Sequence, residues 1–286
     1  MLKVLFSFIK IYGLFILLAE KVRVSSFFPF IYRWHHLMIK CYLQKVLSPV
    51  IKNTNFHESK STKKVYHNCY IFWYQGFNNA PEIVRKCVTM IKKTNPDLSF
   101  HFITKDTLDN YTEDMPDFIK SKFYSGIISV QCFSDILRSY LLYKNGGFWC
   151  DATLFVTQRF KDEIYNYSFY SIKSNIYNPK NVSKRRWTAY FLYSTKDCII
   201  MKLLYDAFCS YYSSNNKLVD YFLIDHIINL GYDMVPFIRN LIDCVPNNNE
   251  GVWSYMNSEE FSRYKDTTYI YKLNWREKNI GCLEYI

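Results

Sequence analysis

The chain is poor in the residues on which several protein classes depend. Only eight glycines and eight prolines occur among its 286 residues, which excludes collagen-like and low-complexity classes. Its nine cysteines are odd in number, widely spread and nowhere spaced as C-x-x-C, so neither a disulfide scaffold nor a zinc module is expected. We therefore interpret the cysteines as reduced thiols of a cytosolic protein.

Motifs of several common enzyme classes do not occur either. Apart from the Gly146-Gly147 pair the glycines are isolated, so the sequence has neither a G-x-G-x-x-G fingerprint nor a Walker-type phosphate loop. G-x-S-x-G and H-E-x-x-H do not occur, and the six histidines lack metal-ligand spacing. Carboxylates are therefore the charged groups on which chemistry is expected to depend.

The positive charge of the chain is concentrated at one end. A net charge of +11 raises the possibility of a nucleic-acid or anionic-membrane partner. Residues 1–64 hold eleven basic and two acidic side chains, a net of +9, whereas the other 222 residues have a net of only +2. The body is nearly neutral, so no nucleic acid is expected as a partner. The whole chain is 49% hydrophobic and 19% aromatic, which is enough for a sizeable core.

The N-terminal segment favours contact with a membrane surface. The apolar run 4–19 contains Lys10 and is shorter than the roughly 20 residues of a membrane span. Within residues 27–50, apolar side chains recur at helical spacing between cations, which favours a helix lying on an anionic membrane surface. These are Ile31, Trp34, Met38 and Cys41. A helix packed on the body, with a solvated basic face, is the alternative.

Polar residues 52–64 read as a linker. We therefore expect a membrane-associating extension over 1–64 and one domain over 65–286. In that domain, short apolar runs that predict buried strands alternate with amphipathic patterns that predict helices. This alternation is typical of an α/β layer fold with a largely parallel sheet.

The stretch 133–155, FSDILRSYLLYKNGGFWCDATLF, is the most informative part of the sequence. On its predicted helix, Asp135 and Arg138 share the side opposite the apolar face. An i, i+3 pair of this kind is usually solvated and is worth only a few tenths of a kcal/mol. Here, however, two glycines are expected to end the helix, and a hydrophobic strand follows with Asp151 at its carboxyl end. Open α/β sheets bind ligands at the carboxyl ends of their strands. A carboxylate there can bind a divalent cation, and such a cation can neutralise a diphosphate.

This stretch resembles the donor-site core of the DXD-type sugar transferases, specifically the capsular polysaccharide synthesis family. The resemblance covers roughly residues 65–280. It rests on 72–76 (FWYQG), 79–82 (NAPE), 134–138 (SDILR), 143–153 (YKNGGFWCDAT), 221–225 (YFLID) and 272–275 (KLNW). It implies a GT-A-like nucleotide-diphospho-sugar transferase fold, with a single Rossmann-like mixed sheet between flanking helices.

The resemblance also implies roles for individual residues. Tryptophan and tyrosine at the end of the first strand would flank the nucleotide base, and Asp135 and Arg138 would grip donor hydroxyls or ribose. The implied donor-binding residues are Trp73, Tyr74, Gln75, Gly76, Asp135, Arg138, Gly147, Lys272 and Trp275. The implied catalytic residues are Asp151, Asp135 and Arg138. Trp187, beside a basic turn, is a candidate for lining an acceptor groove.

Asp151 would bind Mn²⁺ or Mg²⁺, directly or through water. The third position of D-x-D is Thr153, so a second carboxylate is replaced by a hydroxyl that can hold a metal-bound water. Asp225 or His226 would complete the metal site, although a histidine in such a place is more often simply packed.

Taken with the basic, apolar segment 1–50 and the reduced cysteines, these observations predict a peripheral enzyme on the cytoplasmic face of the cell membrane. It would transfer a hexose from a nucleotide-diphospho-sugar to a surface polysaccharide or a lipid-linked oligosaccharide, and the resemblance implies retention of anomeric configuration. A non-catalytic sugar-nucleotide-binding protein is one alternative, because the D-x-D pattern is altered. A basic nucleic-acid-binding protein is the other, favoured only by the net charge of +11.

Overall fold

The computed structural model of the protein describes residues 29–53, 64–174, 180–256 and 258–276. The apolar run 4–19 and most of the predicted linker lie outside the described residues. The eight described helices are α1 (Pro29–Asn53), α2 (Glu82–Thr94), α3 (Asp117–Tyr124), α4 (Val130–Asn145), α5 (Ile199–Ser214), α6 (Leu223–Met234), α7 (Pro236–Asp243) and α8 (Ser258–Tyr264). The described strands are β1 (Asn68–Phe72), β2 (Ser99–Ile103), β3 (Gly147–Cys150), β4 (Leu154–Val156), β5 (Phe169–Ser171), β6 (Phe191–Ser194) and β7 (Ile270–Lys272).

Five strands form the central sheet in the order β2-β1-β3-β6-β5. β1 pairs in parallel with both β2 and β3, whereas β6 runs antiparallel to β3 and to β5. Strand β5 therefore points the same way as β1, β2 and β3, and only β6 is reversed. The predicted α/β class with a largely parallel sheet is confirmed. One edge of the sheet consequently collects the carboxyl ends of β1 and β3 and the amino end of β6.

The core lies on both faces of this sheet. Side chains that alternate along the strands point to opposite faces, so Trp149 joins the cluster under α1, α4, α5 and α6, while Phe148 joins the cluster with α2, β4 and β7. All four residues of β3 are buried, as expected for a central strand covered on both sides.

Local signals explain the ends of α4. The Ser129 hydroxyl accepts a hydrogen bond from the backbone N–H of Cys132 and caps the first turn. The helix ends at Gly146, whose φ is 68°, in the left-handed region that glycine tolerates best. This stop places β3 directly after the helix and sends Asp151 to the functional edge of the sheet.

Strands β4 and β7 form a second, two-stranded antiparallel sheet that the sequence patterns did not predict. Each strand has three residues, too few to show alternation. In the register of this pair Leu154 faces Lys272 across the ladder, so the C-terminal segment is brought beside the end of β3.

The predicted N-terminal helix is present, and the side that packs on the body is not the side predicted to face a membrane. Trp34 is 42% exposed and Cys41 is also exposed, whereas the buried side of α1 packs against the core beneath α5 and α6. The buried residues of α1 are Tyr32, His35, Ile39, Leu43, Leu47 and Ile51. The described part of the extension thus has the alternative arrangement, a helix packed on the body.

None of the described helices combines the length and the hydropathy needed to cross a bilayer. The eight described cysteines are all free thiols.

Candidate functional site

A cavity of about 1410 Å³ opens at the carboxyl edge of the central sheet. The residues after β1 and β3, the inward side of α4, the residues before β6, the start of α6 and the end of β7 line it. The sequence predicted a ligand site at this edge. Most of the predicted site residues border the cavity: Trp73, Tyr74, Gln75, Asp135, Arg138, Asp151, Thr153, Trp187, Asp225, Lys272 and Trp275.

The loop after β1 provides the aromatic wall. The Trp73 N–H donates to the Ile103 carbonyl at 3.0 Å, which continues the strand pairing by one residue. The Gly76 N–H then donates to the Trp73 carbonyl at 3.0 Å and closes a turn, with the Gly76 φ at 89°. Gly76 is not among the cavity-lining residues, so it shapes the loop that presents Trp73 and Tyr74.

Arg138 is the centre of the charged wall. Its Nη2 lies 3.0 Å from Asp135 Oδ1 and 3.6 Å from Asp151 Oδ1, and its guanidinium lies 5.0 Å from the centroid of the Trp149 ring. The Arg138 guanidinium also donates to the Ala189 carbonyl. The side chains of Arg138 and Asp135 are only 7% and 14% exposed. This pair is therefore a buried part of the cavity wall and not the solvated pair typical of a helix surface.

Asp151 is held by three side chains. Its Oδ1 accepts a hydrogen bond from Trp149 Nε1 at 3.0 Å, and its Oδ2 lies 2.6 Å from Lys272 Nζ. Burial raises the pKa of the Asp151 carboxyl, but Lys272 and Arg138 outweigh that effect and leave the pKa below its usual value. Asp151 is therefore ionised throughout the neutral range, as one partner of a fixed ion pair.

Two other carboxyl groups at the cavity have pKa values above the usual range. Burial raises the pKa of Asp135 to about 7, with Arg138 opposing the rise. Burial raises the pKa of Asp225 to about 6, opposed by the hydrogen bond that Trp187 Nε1 donates to Asp225 Oδ1 at 2.8 Å. Both groups consequently titrate close to neutral pH.

The structure gives Trp187 a different position from the predicted one. The residue borders the cavity, but it is only 1% exposed and its N–H is directed at Asp225. Trp187 therefore presents no open ring face for stacking an acceptor sugar. Its observed contact orients a carboxylate.

Gly147 and His226 do not border the cavity. Gly147 begins β3, at the end away from Asp151, and a Cβ there would lie 2.4 Å from the Asn68 carbonyl oxygen. This position requires glycine because the neighbouring strand packs too closely to leave room for a Cβ. His226 is buried, with its Nε2 3.6 Å from Asp220 Oδ1 and its ring against His36.

The predicted metal ligands do not converge on one point. Each oxygen of Asp151 already faces an N–H donor, Asp225 faces Trp187, and His226 faces Asp220. Over the described ranges no three His, Cys, Asp or Glu side chains are grouped so that they could hold a metal ion. Thr153 is the remaining candidate, and a hydroxyl is a weak ligand by itself. The donor set, as arranged here, does not fit Mn²⁺ or Mg²⁺.

Several cavity residues were not predicted from the sequence. Tyr190 precedes β6, and its ring centroid lies 5.2 Å from Lys272 Nζ. Arg185, Arg276 and Glu250 also line the cavity. The reversed direction of β6 brings Tyr190 to this edge, and no local pattern indicates that direction.

Comparison with known proteins gives three findings. The family described as capsular polysaccharide synthesis protein matches residues 29–282, so the match begins well before residue 65, where the resemblance was expected to start. The O-glycosyltransferase braB of Annulohypoxylon truncatum is 27% identical over 109 residues, which are 35% of this chain and 25% of that protein. The chain thus spans a quarter of the length of this relative. The solved structure titled PaToxG Glycosyltransferase aligns with 85% of this chain and 98% of its own, at 15% identity and a TM-score of 0.43.

Proposed function

This chain belongs to the capsular polysaccharide synthesis protein family, and from that premise we propose that it is a glycosyltransferase of the GT-A type. It moves a hexose from a nucleotide-diphospho-sugar to a surface polysaccharide or a lipid-linked oligosaccharide. The single observation that carries the proposal is the cavity at the carboxyl edge of the sheet, where Trp73, Asp135, Arg138, Asp151 and Lys272 meet.

The shape and lining of the cavity suit a nucleotide sugar. Its volume of about 1410 Å³ exceeds the roughly 300–1,000 Å³ of sites for single drug-sized ligands, which leaves space for donor and acceptor together. Trp73 and Trp275 offer aromatic surface for a base, while Asp135 and Arg138 offer acceptors and donors for sugar hydroxyls. Lys272, beside Asp151, offers a cation for a diphosphate.

The proposed transfer retains the anomeric configuration. A hydroxyl oxygen of the acceptor forms a bond to the anomeric carbon on the face from which the diphosphate departs, and the bond from that carbon to the diphosphate oxygen breaks. The hydroxyl proton passes to a leaving phosphate oxygen, so no protein base is required. Arg138 and Lys272 stabilise the charge that develops on the departing group, and such preorganised charge is usually the largest catalytic contribution. The resemblance implies dependence on Mn²⁺ or Mg²⁺, but no step of this transfer is assigned to a metal, because the arrangement of the cavity carboxylates does not fit one.

We further propose that the protein is peripheral on the cytoplasmic face of the membrane and binds anionic lipid through residues 1–50. In the described part of this segment, the outer side of α1 exposes Leu37, at 54%, together with Arg33 and Lys45. Apolar and cationic side chains on one exposed face favour an anionic interface. Co-sedimentation with phosphatidylglycerol vesicles, but not with phosphatidylcholine vesicles, is the expected result. Equal recovery with both would contradict the membrane proposal.

A non-catalytic sugar-nucleotide-binding protein is the second candidate, favoured by the replacement of the second D-x-D carboxylate by Thr153. A panel of UDP-glucose, UDP-galactose, UDP-N-acetylglucosamine and GDP-mannose distinguishes the two, with thermal stabilisation and donor hydrolysis measured for each. We expect at least one donor to stabilise the protein and to be hydrolysed slowly. Stabilisation without hydrolysis or transfer favours the binding protein. If no donor changes the melting temperature or is turned over, the glycosyltransferase proposal fails.

A matched pair of variants sharpens this experiment. Asp151→Asn removes the charge that holds Lys272 Nζ at 2.6 Å and Arg138 Nη2 at 3.6 Å, and we expect donor hydrolysis to fall by up to about 100-fold because the two cations are no longer held in position. Lys202→Ala breaks an ion pair of the same 2.6 Å length, with Asp206, on helix α5. Neither residue of that pair borders the cavity, so activity should be unchanged.

A further inference from the structure

We propose that this chain transfers its sugar without a divalent cation, and that the Lys272 ammonium, together with the Arg138 guanidinium, neutralises the diphosphate of the donor. This inference rests on the proposed glycosyltransferase function. It departs from the metal dependence that the D-x-D resemblance implies.

Lys272 is a cation fixed where a metal would be expected. Its Nζ lies 2.6 Å from Asp151 Oδ2, and its side chain is 16% exposed. The ring of Tyr190 lies on another side of the ammonium at 5.2 Å. The backbone is held as well, because the Lys272 N–H donates to the Val252 carbonyl at 2.7 Å and Lys272 pairs with Leu154 in the β4–β7 ladder. The charge is therefore preorganised before any donor binds.

The carboxylates around the cavity are already engaged by nitrogen donors. Asp151 accepts hydrogen bonds from the side chains of Trp149 and Lys272. Asp135 forms an ion pair with Arg138, and Asp225 accepts a hydrogen bond from Trp187. Mn²⁺ and Mg²⁺ need several oxygen ligands around one centre. Binding a metal at Asp151 would first require the 2.6 Å contact with Lys272 to be broken.

The side chain in the third D-x-D position is also unsuited to replacing a carboxylate. Thr153 is only 6% exposed, and its carbonyl accepts the N–H of Leu273 at 3.0 Å. That hydrogen bond ties the end of β3 to the segment that carries Lys272. In this chain the third D-x-D position therefore helps to place the lysine.

The charge of the cavity suits a diphosphate without a metal. Four cationic side chains line it: Arg138, Arg185, Lys272 and Arg276. Four carboxylates line it as well: Asp135, Asp151, Asp225 and Glu250. A donor diphosphate carries two negative charges, and it can meet two cations, Lys272 and Arg138, which lie 2.6 Å and 3.6 Å from the two oxygens of Asp151. An ammonium has three N–H donors, so Lys272 can keep Asp151 and still donate to phosphate oxygens.

The test measures binding and is independent of turnover. Isothermal titration of the full chain with UDP, GDP, CDP, ADP and dTDP is carried out in EDTA and, separately, in Mn²⁺. For the nucleotide that binds best we expect less than a threefold difference in Kd between the two conditions. Lys272→Met should raise Kd in EDTA at least tenfold, whereas Lys272→Arg should stay within a few-fold of wild type. Lys202→Ala, the matched control from α5, should bind as wild type does.

A second measurement follows the metal alone. Mn²⁺ is titrated into wild type and into Asp151→Asn with detection by electron paramagnetic resonance. We expect the two proteins to bind Mn²⁺ equally weakly, because the lysine already occupies the Asp151 carboxylate. A saturable site that is lost in Asp151→Asn would overturn the inference.

The remaining outcomes separate this inference from the proposed function. Nucleotide binding that strengthens tenfold or more with Mn²⁺ overturns the metal-free inference and leaves the glycosyltransferase proposal standing. Wild-type affinity of a folded Lys272→Met protein in EDTA also overturns it, since the charge would then come from elsewhere. If none of the five nucleotides binds with or without Mn²⁺, the proposed function fails, and the inference fails with it.

Discussion

The indole rings of Trp73 and Trp275 lie perpendicular to each other, with their centroids 5.8 Å apart. Trp73 follows β1 and Trp275 follows β7, so this edge-to-face contact joins the first strand of the sheet to the C-terminal segment at the cavity. Edge-to-face contacts between aromatic rings contribute about 0.5–1.5 kcal/mol beyond area burial. Because Trp275 is 41% exposed, a large part of its surface is available to a ligand.

Replacing Trp275 should affect ligand binding more than folding. We expect Trp275→Ala to weaken binding of the best nucleotide diphosphate by about tenfold, which corresponds to about 1.4 kcal/mol, while lowering the free energy of unfolding by less than about 1 kcal/mol. Titration calorimetry and urea denaturation measure the two effects. Phe118→Ala, which removes a 38% exposed aromatic side chain outside the cavity lining, is the control. Equal affinity of Trp275→Ala and wild type would contradict a base-binding role.

Removing Arg138 should leave Asp135 without its cation and Asp151 with Lys272 alone. Breaking a buried ion pair from one side typically costs about 3–5 kcal/mol when the remaining charge stays ionised. We expect Arg138→Met to cost less, about 1–3 kcal/mol, because burial already raises the pKa of Asp135 to about 7 and this carboxyl takes up a proton when the cation is lost. Urea denaturation at pH 7 provides the measurement.

The double variant Asp135→Asn/Arg138→Met completes a cycle for this pair. It should regain at least 1 kcal/mol relative to Arg138→Met at pH 7, since asparagine is neutral and is buried without taking up a proton. Losses that simply add would show that the ion pair is not the source of the effect.

Asp225 provides a prediction about pH. Below about pH 4 the carboxyl is protonated in both folded and unfolded chains, so its contribution to stability does not change. As the pH rises toward 6, the unfolded chain loses this proton while the folded protein retains it, because burial raises the folded pKa to about 6. The aspartate therefore destabilises the fold increasingly over this range, and the effect levels off above about pH 6.

The variant Asp225→Asn should remove this dependence while its side-chain oxygen keeps the hydrogen bond from Trp187. We expect its stability relative to wild type to increase by on the order of 2 kcal/mol between pH 4.5 and pH 7.5. Guanidinium titrations at the two pH values measure the difference. Asp162→Asn, at an exposed surface position, should remain within about 0.5 kcal/mol of wild type at both. A gain for Asp225→Asn that is independent of pH would contradict the burial of an ionisable group.

The packing of α1 predicts opposite outcomes for two leucines of one helix. Leu43 is completely buried against the body, whereas Leu37 is 54% exposed. Leu43→Ala should cost about 2–5 kcal/mol because it leaves a cavity, and Leu37→Ala should change stability by no more than about 0.5 kcal/mol. Thermal and urea denaturation distinguish the two. Similar small effects for both would mean that α1 folds apart from the rest of the domain.

The sequence by itself determined the local framework of the site. Periodicity and a Gly-Gly stop were sufficient to predict that α4 leads into β3, because those signals depend on neighbours within a few residues of each other. For the same reason Asp135 and Arg138 were correctly expected to lie together, and Asp151 to lie at the carboxyl end of a central strand.

Only the tertiary structure decided how this framework is completed. Lys272 is 121 residues from Asp151 along the chain, and Trp187 is 38 residues from Asp225. A sequence pattern indicates which face of an element is apolar, but it does not indicate which distant element packs there. That is why the side of α1 that packs on the body was not predicted, and why Gly147 and His226 were assigned to a site they do not border. It is also why the contact between Lys272 and Asp151 was not expected, although the resemblance implied Lys272 at the donor site: strand pairing between β4 and β7, and not any local motif, put the two side chains together.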